Sequence, residues 1–218
     1  ALKFAHEGAI ETLAQALPGL MPGCGAAAFH GPIRVACAAR SGHRGELADL
    51  HARPREAEEG GAGFLLSVHH DSVKAHLLEP WVWRGRELAH SESASGFSLF
   101  VSRRNPQLAH SLACASAIGA ALRAAGLHPT PHHTVGADGV GRPWADEQNG
   151  VYYYDNLVVL KYTRLPAVLL EAGVIVNRDE ERELASPARR ALTADAVAAG
   201  LAACGVTSGD GSAKMWTN

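Results

Sequence analysis

The hydrophobic positions of this 218-residue chain fall into two kinds of segment. Continuous apolar runs occur at residues 33–38, 64–68, 97–101, 157–160 and 167–170, with a shorter one at 2–5. Continuous rather than alternating runs of this length predict strands covered on both faces. Between them lie stretches with helical spacing. Residues 10–20 put Ile10, Leu13, Ala14 and Leu17 on one side. Residues 46–59 set Leu47, Leu50 and Ala57 among many charges, as an amphipathic surface helix does. Residues 106–127 open on Pro106 and close at Gly126, and 187–204 open on Pro187, which are helix start and stop signals. Strands alternating with helices predict an α/β fold. The expected form is a single domain with a mostly parallel, twisted sheet flanked by helices on both faces. That domain is expected over residues 1–205, with 206–218 as a C-terminal tail. Two polar stretches, 76–95 and 128–150, show no periodicity. Long segments of that kind are often binding loops or lids.

Composition narrows the function. A hydrophobic fraction of 47% allows a packed core and argues against disorder. A net charge of −2 gives no case for a polyanionic partner such as nucleic acid. No apolar run approaches the roughly 20 residues of a membrane span. The first residues, ALKFAHEG, have neither the charged segment nor the apolar core of a signal peptide. The expectation is a cytosolic protein or one whose signal has been removed. The four cysteines have no CxxC spacing, which argues against a thiolate zinc site. Most are expected to be buried free thiols, with one disulfide left open. Histidine is the unusual residue, at 12 copies.

The histidines matter because of where they fall. Ligands of α/β sheets bind at the C-terminal ends of the strands. Three of the expected ends carry metal-ligand or acid–base chemistry. The first run is followed by His6, Glu7 and Glu11, the second by His69, His70 and Asp71, and the last by Glu171. Two imidazoles and a carboxylate can hold a zinc ion with one position open, and a further carboxylate can act as general base. Burying a carboxylate at the end of "AVLL" is costly without a partner or a raised pKa. Each residue also has a plainer reading. A histidine at a strand end is often only hydrogen-bonded, and Glu171 could pair with an arginine.

The segments "FLLSVHHDSV" and "PAVLLEAGVIVNRDEE" resemble the two signature segments of the zinc-dependent N-acetylmuramoyl-L-alanine amidases, amidase type 3. Ser67, Val68, His69 and Asp71 match the first, and Glu171, Gly173, Asn177, Glu180 and Glu181 the second. "ADLHARPREA" resembles the family's helix before the first of these strands. The resemblance implies hydrolysis of the amide bond between muramic acid and L-alanine in peptidoglycan, in the periplasm or outside the cell. It implies one zinc ion per chain, with His69 as a ligand and Glu171 as the catalytic carboxylate. The family's other two ligands would fall on His6 and on Glu11, with Glu7 as an alternative to Glu11. The N-terminal segment departs from the family's glycine-rich pattern there.

Other residues are candidates for contacting substrate or a developing negative charge: His70, Asp71, His133, Arg142 and Asn177, with His132 beside them. His70 and Asp71 could equally orient the zinc-bound imidazole. Trp81, Trp83 and Trp144 fall in the two long polar stretches, as sugar-facing surfaces or as cover for their own loops. Two other readings stay open. One is a zinc carboxypeptidase-like or deacylating hydrolase of another amide. The other is an inactive relative that binds peptidoglycan or regulates another hydrolase. A protein activator is a further open point.

Overall fold

Apolar runs that must be covered on both faces explain the architecture. The computed structural model of the chain describes residues 35–37, 50–59, 61–135, 141–206 and 212–217. Its strands are β1 (Val35–Cys37), β2 (Ala62–Asp71), β3 (Glu79–Trp83), β4 (Arg86–His90), β5 (Ser98–Val101), β6 (Trp144–Asp146), β7 (Val151–Tyr153), β8 (Ala167–Val174) and β9 (Ser212–Thr217). Its helices are α1 (Ala52–Glu59), α2 (Leu108–Ala124), α3 (Val158–Lys161), α4 (Arg178–Leu184) and α5 (Pro187–Ala203). Seven strands form one sheet in the order β1-β9-β2-β8-β5-β7-β6, and β3 and β4 form a separate hairpin. β2 runs parallel to β8 and to β9, whereas β5 is antiparallel to β8 and β6 to β7. The expected α/β class and mostly parallel sheet are therefore present.

The two faces of β2 separate cleanly. Phe64, Leu66 and Val68 join Val168, Leu170 and the buried sides of α2 and α5 in the larger core. Leu65 joins Ala57, Phe100, Tyr152, Val159, Leu160 and Leu169 in a second core on the other face. Helices thus flank both faces, α2 and α5 on one, α1 and α3 on the other. α2 and α5 approach closely because Gly200 has no side chain. A Cβ there would stand 2.4 Å from the Ile118 Cα. Cys114 and Cys204 are joined in a disulfide that ties α2 to the end of α5 across 90 residues. That corrects the expectation of mostly free thiols. Packing the two helices against each other brings together cysteines far apart in sequence.

Several other expectations change. The run 157–160 is the short helix α3 rather than a strand. Four apolar residues carry too little periodicity to separate the two, and Val159 and Leu160 bury equally well in a single helical turn. Residues 212–217, assigned to a tail, form β9 between β1 and β2. The polar stretch 76–95 holds the β3–β4 hairpin, and 128–150 holds β6. α4 begins at the cap formed by Asn177, whose side chain accepts from the Asp179 and Glu180 amides. Strand β2 is longer than its apolar run and extends through His69, His70 and Asp71. Strand β8 likewise runs past Glu171. The expected strand at 2–5, the helix at 10–20, His6, Glu7, Glu11 and Cys24 lie outside the described residues.

Candidate active site

Strand pairing assembles the polar end of the sheet. His69 stands opposite Glu171 across β2 and β8, and Ser98 stands opposite Glu171 across β8 and β5. Three residues distant in sequence therefore meet at one level. A register shift follows, so that Asp71 pairs with Val174. Side chains on a strand alternate between faces, so His69 and Asp71 share one face and His70 lies on the other with Val68.

The segment after α2 closes over that face. Thr130 is fixed by its amide to the Phe97 carbonyl at 2.8 Å, and by the Tyr152 hydroxyl, which donates to the Thr130 carbonyl at 2.6 Å. Tyr152 is fully buried and stacks on Trp144 and Phe100. The chain then makes a single 3₁₀ turn at His132–Thr134. Both imidazoles enter the site from that turn, their ring centres 3.9 Å apart. The Arg142 amide donates to the His133 carbonyl at 2.8 Å, which returns the chain to the site. The Arg142 guanidinium lies over the Tyr154 ring at 3.8 Å.

The central contacts converge on one oxygen. The Nε2 atoms of His133 and His132 lie 2.7 and 3.2 Å from Asp71 Oδ2. Both contacts are close enough to be ion pairs when the rings are protonated. His133 Nε2 also lies 3.2 Å from the Ser98 hydroxyl. Burial works to raise the Asp71 pKa, but the two imidazoles outweigh it and leave the carboxyl well below its usual range. Burial pushes the His133 pKa down, favouring the neutral ring. Glu171 behaves in the opposite way to Asp71. Burial first, and the Asp71 charge second, push it up to about 8, with Arg142 opposing. Its Oε2 is buried and accepts no hydrogen bond among the described residues.

Of the residues expected at the site, Glu171, His69, Asp71, His133 and Arg142 gather at this end of the sheet, with His132. His69 Nε2 lies 2.9 Å from the Ser67 hydroxyl. Asn177 does not join them. It is buried, caps α4, and donates its amide to the Ala94 carbonyl at 3.1 Å. A side chain spent on capping and on a loop carbonyl has a positioning role. Glu180, from the same sequence segment, is also structural, accepting from the Gly96 and Val174 amides. Trp81 packs with Trp83, His90 and Arg178 in the hairpin, away from this group. Ser98, Thr130 and Tyr152 were not legible as site residues. Serine, threonine and tyrosine in or beside apolar runs carry no signal until strand pairing and loop closure place them.

Sequence and structure comparisons agree with this picture. The family model described as N-acetylmuramoyl-L-alanine amidase matches residues 34–203. The fold is similar to that of the amidase Ami1 from Mycobacterium smegmatis, at 21% identity and a TM-score of 0.53, covering 71% of this chain and 59% of that one. It is also similar to an N-acetylmuramoyl-L-alanine amidase from Clostridium difficile 630, at 15% identity and a TM-score of 0.59, covering 88% and 80%. A third is the amidase AmiC2 of Nostoc punctiforme, at 17% identity and a TM-score of 0.52, covering 91% and 83%. The chain spans only 59% and 60% of the Ami1 structures from M. smegmatis and M. abscessus. No curated protein matches in sequence. At these identities the structural likenesses speak for the fold, while the family match covers most of the chain, including both Glu171 and His69: the chain belongs to the N-acetylmuramoyl-L-alanine amidase family.

Proposed function

We propose that the protein hydrolyses the amide bond between the muramic acid lactyl group and L-alanine in peptidoglycan, with zinc as cofactor and Glu171 as the proton-transferring group. The observation that carries this reading is Glu171 itself, a carboxyl whose buried Oε2 has no hydrogen-bond partner among the described residues and whose pKa is raised to about 8. Such a group needs a functional reason, because burial without a partner is costly.

The donors at this end of the sheet fit a zinc-type ion. They are imidazoles and carboxylates, with His69 opposite Glu171 across β2 and β8. By the family resemblance His69 would hold the ion, with His6 and Glu11 from the residues not described. When bound, zinc lowers the pKa of water to around 7 and polarises the amide carbonyl. Glu171 takes a proton from the attacking water and returns it to the leaving amine. A carboxyl with its pKa near 8 keeps its proton at neutral pH, and positive charge beside it favours the ionised form. Base function is thus coupled to cation binding. Arg142, whose Nε is buried and donates to no partner among the described residues, supplies fixed positive charge for the developing oxyanion.

Peptidoglycan as substrate places the work in the periplasm or outside the cell. No helix among the described residues is long and apolar enough to cross a membrane. The test is digestion of purified sacculi with metal content measured in parallel. Release of stem peptides with a free L-alanine amine supports the amidase. Cleavage elsewhere in the stem supports the carboxypeptidase-like reading. Sacculus binding without any release leaves a binding or regulatory protein.

A further inference from the structure

We propose that Asp71, His132 and His133 form a divalent-cation site of their own, with Asp71 Oδ2 and the two Nε2 atoms as ligands, which does not require His69. The proposal rests on the amidase reading only for its biological meaning, since cation binding is read directly.

Three observations carry it. First, the three donor atoms all lie within 4.8 Å of one another. Donors around a zinc-sized ion stand about 3.4 Å apart, given tetrahedral bonds of about 2.1 Å. The His132 contact at 3.2 Å is already near that spacing, and the His133 contact at 2.7 Å needs a small opening. Second, the contacts are close and converge on a single oxygen. Asp71 Oδ2 and His132 Nε2 are both buried, and beyond these contacts neither has a hydrogen-bond partner among the described residues. Two ring nitrogens directed at one carboxylate oxygen are well placed for an ion held among them.

Third, the remaining atoms of Asp71 and His132 are engaged as those of metal ligands usually are, while His133 Nε2 also lies 3.2 Å from the Ser98 hydroxyl. Asp71 Oδ1 accepts from the Ser72 amide at 2.8 Å. His132 Nδ1 pairs with the Thr130 hydroxyl at 2.8 Å. Such outer partners fix ring orientation and leave the other nitrogen for the metal. Thr130 is itself pinned from two sides, so the ligands sit on a rigid base. His69 Nε2 lies 2.9 Å from the Ser67 hydroxyl, and His69 is not one of the three donors.

The experiment uses the full chain, stripped with chelator and reloaded with Co²⁺ or Zn²⁺. It reads equivalents bound, affinity by competition with a chelating dye, and the cobalt d–d spectrum. Thermal melting confirms that each variant is folded, and Asp71→Asn serves as a milder second probe. His132→Ala combined with His133→Ala should weaken one bound equivalent at least tenfold and change the cobalt spectrum. Asp71→Asn should do so to a lesser degree, and His69→Ala should keep that equivalent. Unchanged stoichiometry, affinity and spectrum in the double variant overturn the proposal. So does a wild-type chain that binds no cation, or a His69→Ala chain that loses every equivalent. Sacculus digestion is scored separately. Stem-peptide release with unaltered cation binding in the double variant removes this site and leaves the amidase reading standing. Cation loss in the double variant of a chain that releases nothing does the reverse.

Discussion

The two faces of the sheet share the same strands and are covered in different ways. On one face, two 17-residue helices pack on a largely apolar core, approach closely at Gly200, and are joined by Cys114–Cys204. On the other, the cover is an eight-residue helix, a four-residue helix and the segment carrying His132, His133 and Arg142. That segment is held by single hydrogen bonds and stacked aromatic rings rather than by a large apolar area. The difference shows how a fold separates stability from chemistry. The helical face supplies rigidity, so that the other can bury charged groups whose pKa values are pushed apart.

The comparison can be broken most directly at Glu171. Glu171→Gln should lower turnover on sacculi roughly a thousandfold while bound zinc is retained. Unchanged turnover removes the residue from the mechanism. The same variant sharpens the electrostatic side in metal-free protein. The folded-state pKa of about 8 lies above the ordinary 4.5, so folding favours the protonated form. Stability linked to this group is full below pH 4.5 and is lost as pH rises through 8. Melting temperatures of wild type should fall relative to Glu171→Gln across that window, and parallel curves would show that the carboxyl titrates normally.

Next in size is the staple on the other face. Cys114→Ser with Cys204→Ser should cost about 3 kcal/mol of stability by releasing a constraint between positions 90 apart in the chain. It should leave turnover per folded molecule within about twofold at low temperature. Lost turnover in a folded variant would show that the faces are not independent. Tyr152→Phe removes the hydroxyl that pins Thr130 and should cost about 1 kcal/mol. Its effect on turnover should exceed that of the cysteine pair, because it loosens the ligand-bearing turn. The smallest change is expected at Arg164→Ala. That exposed ion pair with Glu58 should contribute less than about 0.5 kcal/mol and leave turnover unchanged.

Legibility in the sequence followed the strength of the local pattern. The two long helices were readable because 17 residues accumulate several turns of periodicity, with Pro187 at the start of one and Gly126, at φ +89°, after the other. The run 157–160 misread as a strand, since four apolar residues satisfy either period. Strand β9 was invisible because "SAKMWT" has a weak pattern and gains its place from backbone pairing on both sides. Glu171 and His69 stood out because polar residues directly after buried runs are chemically expensive. Asn177 matched the same family segment, yet its atoms are taken up by a helix cap.

By itself the sequence determined the class of fold, the family, and the ionisable residues that end β2 and interrupt β8, because hydrophobic periodicity and costly burial are local properties. Only the tertiary structure decided which of those residues meet. Asp71 is some 60 positions from His132 and His133 and 100 from Glu171 in the chain. Strand register sets Glu171 beside His69, and a turn held by Thr130 and Tyr152 drops two imidazoles onto one carboxylate oxygen. Contacts across such separations depend on pairing and loop closure, which no short window of sequence records.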